Sequence, residues 1–387
     1  MNHKALLQTP PLSLYVHIPW CVRKCPYCDF NSHEAGKDLD ESAYIAALMA
    51  DLDTELEHYT QNEIQSIFFG GGTPSLFSAE AIADILAGVA RKIAVAPECE
   101  ITLEANPGTF EQEKFTDYRS AGINRLSIGI QSFNDDMLSR LGRIHDSKEA
   151  LKAIETAYAA GFDNINLDLM FGLPGQSLPE AAGDISLACD LEPAHISHYQ
   201  LTIEPNTYFY KHTPVLPKTD YIWDMQQRCH DTLQQHGYAQ YEVSAFSRAG
   251  RQCSHNINYW RFGDYIGIGA GAHGKSTNID SHSITRRWKH RQPAAYINNA
   301  TQGNACSGSN QLDQPDILFE FLLNALRLRQ GFGFDLFEQR TGISKERLIT
   351  ACDNIAPELL VISKTGFGTS RRGFDFLNDV LEKFLAH

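Results

Sequence analysis

Nothing in this chain approaches the roughly 20 consecutive apolar residues that a bilayer-spanning helix needs, so no integral membrane segment is expected. Positive charge is also scarce: 33 Lys and Arg stand against 47 Asp and Glu, a formal net charge of −14 at pH 7. That balance argues against a nucleic-acid partner held by phosphate neutralisation. The one basic run, RRWKHR at 286–291, reads as a solvated charge cluster. The opening MNHKALLQTPPLSLYVHIP has neither a long apolar region nor a small-residue cleavage site, so no signal peptide is expected. Cysteines number nine, an odd count, and outside one N-terminal cluster they are scattered singly. A disulfide framework is therefore not expected, and a reducing compartment, the cytoplasm, fits. What remains is an ordinary globular composition, 43% hydrophobic and 21% charged. A chain of 387 residues is long enough for one large domain and a smaller one.

Short apolar runs at 14–18, 66–70, 100–105, 125–130, 165–171 and 195–203 read as strands, nearly continuous in apolar residues. Segments with helical spacing lie between them, at 42–59, 79–93, 111–121, 147–160 and 179–190. Gly122 and Gly161 follow such runs and read as C-terminal caps. Repeated strand–helix alternation means a parallel sheet with right-handed crossovers. Nearly every strand ends in polar or glycine-rich chemistry. An open doubly wound sheet would concentrate such residues at one switch point, whereas a barrel gathers them at the C-terminal ends of all its strands. The expected fold is therefore α/β, a partial (β/α)6 TIM-like barrel over residues 1–237. An extension at 238–302 should pack on it, GNACSGSNQ (303–311) reads as a linker, and 312–387 reads as a small winged-helix-like α+β domain. The acidic chain favours a protein-packing role for that domain over DNA binding.

HIPWCVRKCPYCDF places Cys21, Cys25 and Cys28 at C-x3-C-x2-C spacing. A structural zinc site or an ordinary iron–sulfur site takes four protein ligands. Three thiolates would instead leave one iron of a [4Fe–4S] cluster open to a small chelating ligand. A zinc knuckle completed by His17 or His33 is the alternative.

The spacing, with Tyr27 just before the last cysteine, resembles the signature of radical S-adenosylmethionine (SAM) enzymes. In that family the methionyl end of SAM chelates the open iron, and one electron cleaves SAM to methionine and a 5′-deoxyadenosyl radical. The resemblance continues through FFGGGTP, EANPGT, SIGIQSF, LGRIH, NLDLMFGLPGQ and IGIGAGAHGK. It implies SAM contacts at Gly71, Gly72, Thr73, Glu104, Gln131, Arg143, Asp168 and His273, together with Tyr15, Tyr27 and Gln200. Arg143 is the implied clamp for the SAM carboxylate, a group that guanidinium pairs with well.

Within that family the chain is most similar to the oxygen-independent coproporphyrinogen III oxidase group, and in it to HemW-type heme chaperones. The oxidase pattern has another cysteine two residues after the third, where this chain has Phe30. The stretch CSHNINYWRFGDYIGIG carries HN-x-NYW, which resembles a motif associated with heme in the chaperones. It implies His255 or Cys253 as axial ligand, with Tyr259 and Trp260 against the macrocycle. The expected function is that of a heme-trafficking protein with a SAM-bound cluster, handing heme to apo-hemoproteins, respiratory ones among them. Contact with a membrane would be peripheral and client-mediated. SAM binding would bias a monomer–homodimer equilibrium only through its differential affinity for the two states. The alternatives are a porphyrinogen decarboxylase and a non-catalytic metal scaffold.

Overall fold

The computed structural model describes residues 7–36, 39–108 and 112–385. The first six residues of the leader reading, and Glu111 of the third expected helix, lie outside them.

Six strands are parallel neighbours in strict chain order: β1 (Leu12–Ile18), β2 (Glu63–Gly71), β3 (Ala94–Ala105), β4 (Arg125–Gln131), β5 (Ile165–Phe171) and β6 (His195–Gln200). No crossover interrupts the order, so there is no switch point and the barrel reading holds. The crossover helices are Glu41–Leu56, Ala79–Lys92, Phe115–Ala121, Ser147–Ala159 and Leu178–Asp190. Their ends follow local chemistry. Asp146 with Glu149, and Ser177 with Glu180, form capping boxes that satisfy the first free N–H groups. Gly122, at φ +112°, ends the third helix in a conformation that side chains disfavour.

The strands continue on both sides. After β6 come β7 (Ala239–Glu242) and β8 (Ala245–Ser247), antiparallel. On the far side β9 (Asp264–Ile268) pairs parallel to β1, followed by antiparallel β10 (His273–Asn278), β11 (Ser283–Lys289) and β12 (Cys306–Gln311). The result is one 12-stranded sheet of order β12-β11-β10-β9-β1-β2-β3-β4-β5-β6-β8-β7. The expected linker is thus corrected: residues 306–311 form an edge strand. An edge strand with both faces wet needs no apolar residues, which is why SGSNQ carries none.

A buried ionic group fastens the extension to the barrel. Lys289 donates to Glu55 at 2.7 Å and also bonds Asp51, which accepts from Tyr296 at 2.7 Å. A second apolar cluster, including Phe321, Phe337, Leu348, Phe367 and Val380, builds the C-terminal part. Its small sheet has the order β13 (Phe332–Gly333), β15 (Gly366–Thr369), β14 (Leu360–Ile362). Phe262, from the extension, is buried in this cluster and welds the two parts.

Candidate functional site

The sequence suggests barrel strands nearly continuous in apolar residues, but in the structure buried apolar residues alternate with inward polar ones. Leu14, Val16, Ile67, Phe69, Ile128, Leu167 and Ile196 pack in the main core under the helices. The residues between them point inward and bond across strands. Ser13 bonds Ser66 at 2.7 Å, Ser127 donates to Asp168 at 2.9 Å, and Tyr199 donates to Gln131 at 2.7 Å. The interior is a polar channel, and its upper end opens at the C-terminal ends of the strands.

The cysteine loop follows β1 at this mouth. Cys21, Cys25 and Cys28 are all partly exposed. Arg143, after β4, donates from Nη1 to Cys25 Sγ at 3.5 Å and from Nη2 to Asn106 and the Gly129 carbonyl at 2.7 and 2.9 Å. Its Nε is buried without a partner. Tyr27 packs on Phe209, whose N–H donates to the Pro26 carbonyl at 2.9 Å, so the loop after β6 braces the cysteine loop. Among the described residues no three His, Cys, Asp or Glu side chains converge as a single metal ion requires. His17, the candidate fourth zinc ligand, is committed elsewhere, to Tyr15 OH and the Asn31 carbonyl at 2.9 Å each. Three thiols around a mouth, beside a buried guanidinium with a free N–H, suit a larger sulfur-bridged cluster with an anionic ligand.

The glycine run sits against this loop. Gly72 and Thr73 donate to the carbonyls of Ile18 and Trp20 at 2.8 and 2.7 Å. Gly71 has φ +119°, and a Cβ there would lie 2.5 Å from the His17 ring, so only glycine fits. Its N–H donates to Glu104 at 3.1 Å. Burial, and then the Asp168 carboxylate, push the Glu104 carboxyl up to about 8. Burial raises Asp168 as well, against bonds from Asn166 and Ser127. A cavity of about 460 Å³ is lined by Tyr15, His17, Gly71, Glu104, Tyr259 and His273, among others. A second, of about 650 Å³, shares Phe30, Asn31 and Arg291 with it and reaches Cys28. Phe30 is 62% exposed between them. Most expected SAM residues thus meet at one mouth. Gln200, the last residue of β6, is exposed and lines neither cavity.

The four expected heme residues are not brought together on one face. HN-x-NYW forms the helix Ser254–Trp260, which plugs the lower end of the barrel. Glu100 accepts from the N–H groups of Ser254 and His255 at 2.8 and 3.3 Å, a carboxylate on a helix N-terminus. His255 is 3% exposed, stacked on Phe68 at 4.9 Å and against Tyr259 at 4.9 Å. Burial, then Arg125, bring its imidazole down to about 3. Cys253 is fully buried beside Glu100. Trp260 lies on the opposite side, under the Arg327 guanidinium at 4.4 Å. An axial bond to His255 would require removing its packing, and Tyr259 and Trp260 do not share a face.

Sequence reasoning does not reach Asn106 and Tyr199, which hold Arg143 and Gln131. Asn106 lies inside the quoted EANPGT. Tyr199 is two residues beyond Ser197, itself paired with Asp168, so strand parity is the available signal.

Comparison with known proteins places the chain among relatives of the same domain composition. The Radical SAM superfamily matches residues 15–188, and the HemN C-terminal domain matches 312–376. "Heme chaperone HemW" of Haemophilus influenzae is 49% identical over 382 residues, spanning 97% of this chain and 98% of the relative. The protein of the same name from Escherichia coli is 47% identical, spanning 98% and 100%. Among solved structures, the radical SAM enzyme coproporphyrinogen III oxidase (HemN) from Escherichia coli aligns with a TM-score of 0.80 at 21% identity, over 97% of this chain and 90% of that one. That last likeness speaks to the fold alone.

Proposed function

The chain belongs to the HemW family of radical SAM proteins, and from that premise we propose that it binds heme and delivers it to apo-hemoproteins while carrying a SAM-ligated [4Fe–4S] cluster. The reading rests on the full-length similarity to named heme chaperones. Phe30 supports it, as an exposed aromatic where the oxidase pattern has a further thiol. When bound, the cluster would supply an electron and an iron with an open position for the methionyl end of SAM to chelate. The residues of the chain have separate tasks. Cys21, Cys25 and Cys28 hold the cluster. Arg143 meets the SAM carboxylate with its unpartnered Nε side. The backbone of Gly71, Gly72 and Thr73, with Glu104, faces the amine. Gln131, Asp168, Tyr15, Tyr27 and His273 frame the rest. The barrel core spans 1–237, the extension 238–302 and the C-terminal domain 312–387.

The chain works in the cytoplasm, where the six cysteines outside the cluster loop stay reduced. No described helix is long and apolar enough to cross a membrane, and delivery to respiratory clients takes place by peripheral contact. SAM shifts its monomer–dimer balance. The test is transfer. Hemin-loaded chain is mixed with an apo-globin, and the Soret band is followed. Movement of heme to the globin faster than from free hemin aggregates supports the reading. Retention of all heme by the chain, or no binding at all, overturns it.

A further inference from the structure

The mouth cavity of about 460 Å³ has a lining that SAM does not use up. Of the residues expected to meet SAM, Gly72, Thr73, Gln131, Arg143 and Asp168 do not line it. They belong to β2, β4, β5 and the loops after them. The cavity opens on the other side of β1, toward Tyr265 on β9, His273 on β10 and Arg291 after β11. Tyr15, Gly71, Glu104 and His273 stand at the border of the two spaces. The volume is within the range of cavities that enclose small ligands.

This lining suits a flat aromatic ligand with a metal at its centre and an anionic edge. Tyr15, Phe30, Tyr259 and Tyr265 give it aromatic walls, and the rings of Tyr259 and Tyr265 lie 4.2 Å apart. Its one carboxyl, Glu104, holds its proton at pH 7, because burial and then Asp168 push it up to about 8. The fixed charge of the lining is therefore Arg291, which forms no ion pair among the described residues. Two imidazoles line the cavity. His17 has both ring nitrogens engaged, by Tyr15 and by the Asn31 carbonyl. The His273 ring has no hydrogen bond among the described residues and stacks on Trp288 at 6.4 Å. Burial, then Arg286 and Arg291, lower its pKa, which favours the neutral imidazole that binds metals. Past Phe30 and Arg291 the adjoining cavity of about 650 Å³ turns polar, with Lys24 as a second cation and Asp29 and Glu204 as its carboxylates. An apolar inner space thus leads into a hydrated outer one.

We propose that heme lies in this mouth cavity beside SAM, with His273 as the axial ligand of its iron, Phe30 against the macrocycle and Arg291 on a propionate. The proposal rests on the heme-carrying reading above and names where that heme sits. Imidazole is a common axial ligand of heme iron, aromatic rings stack on a macrocycle face, and guanidinium pairs with carboxylate through strong, often bidentate hydrogen bonds. The propionate edge meets the polar outer cavity and the opposite edge the tyrosines. The site uses HN-x-NYW through Tyr259 alone, so His255 keeps its packing. It also gives a task to Phe30, an exposed ring where the oxidase pattern has a thiol.

The experiment is hemin titration of the full reconstituted chain, of His273→Ala and of Arg291→Gln, followed by absorbance and by electron paramagnetic resonance of the ferric heme. Both side chains are exposed, so neither change opens the core. His273→Ala should shift the Soret band and the ferric resonance, and added imidazole should restore both, which a packing role would not allow. Arg291→Gln should keep the wild-type spectrum and bind hemin at least tenfold more weakly. Hemin dimethyl ester, which lacks free propionates, should bind the wild type and Arg291→Gln equally, and both more weakly than the wild type binds hemin. A wild-type spectrum in His273→Ala, hemin affinity unaltered in Arg291→Gln, or an ester that binds as tightly as hemin overturns the site while leaving the chaperone reading intact. A wild-type chain that binds no hemin overturns that reading and the site with it.

Discussion

Replacing Glu104 by Gln probes a strongly perturbed carboxyl of the barrel mouth. The group is fully enclosed, and burial with Asp168 nearby moves its pKa from the ordinary 4.5 to about 8. The folded chain therefore keeps this proton up to about pH 8, while the unfolded chain releases it near 4.5. Between those values the folded state binds more protons, so stability falls as pH rises. At about 1.36 kcal/mol per pH unit of difference, the group should cost roughly 2 kcal/mol at pH 6 and 4–5 kcal/mol at pH 9. Gln carries the shape of the neutral acid and should not incur this cost. Urea unfolding of Cys21→Ser/Cys25→Ser/Cys28→Ser chains, which removes the cluster from the comparison, would measure it. In that background the stability gap in favour of Glu104→Gln should widen by about 2–3 kcal/mol from pH 6 to pH 9. A gap that stays constant across that range would refute the assignment of a buried, proton-holding Glu104.

Lys289→Met leaves Asp51 and Glu55 buried without their cation and should cost about 3–5 kcal/mol, read as a lowered urea midpoint. The double change that also neutralises Asp51 to Asn should recover part of it. Arg143→Gln removes charge-assisted bonds worth about 1.5–3 kcal/mol, so SAM affinity by equilibrium dialysis should fall roughly 10- to 150-fold while iron per chain is unchanged. A parallel loss of iron would mean that Arg143 supports the cysteine loop and not SAM. His255→Ala opens a hole between Phe68 and Tyr259 and should destabilise the chain by about 2–4 kcal/mol, comparable to other large-to-small core changes. Hemin should still bind, and loss of hemin from a folded His255→Ala chain would restore it as the axial ligand.

The strand–helix rhythm makes the barrel legible in the sequence, because each crossover repeats the same switch of hydrophobic period. The cysteine loop is legible because its spacing is unusual for a packed core, whereas Gly71 and Arg143 are reached only through the family resemblance of FFGGGTP and LGRIH. Other parts are not. β12 reads as a linker because an exposed edge strand carries no apolar signal, and only its pairing with β11 reveals it. Of the inward polar residues of β1 to β6, Glu104, Gln131 and Asp168 are reached through the resemblance, while Ser13, Ser66, Ser127 and Tyr199 escape notice because their apolar neighbours dominate each short run. HN-x-NYW reads as one surface, yet a helix of seven residues presents both sides. Which side meets the barrel depends on Glu100 at its N-terminus and Ser66 at His255, both distant in sequence.

The central claim, a heme carrier built on a radical SAM barrel, is tested most directly by one paired measurement. The chain is reconstituted anaerobically with iron and sulfide, titrated with hemin, and assayed in parallel on coproporphyrinogen III with SAM. Stoichiometric hemin binding without decarboxylation is the predicted result. Decarboxylation with consumption of SAM, and no saturable hemin binding, would contradict it.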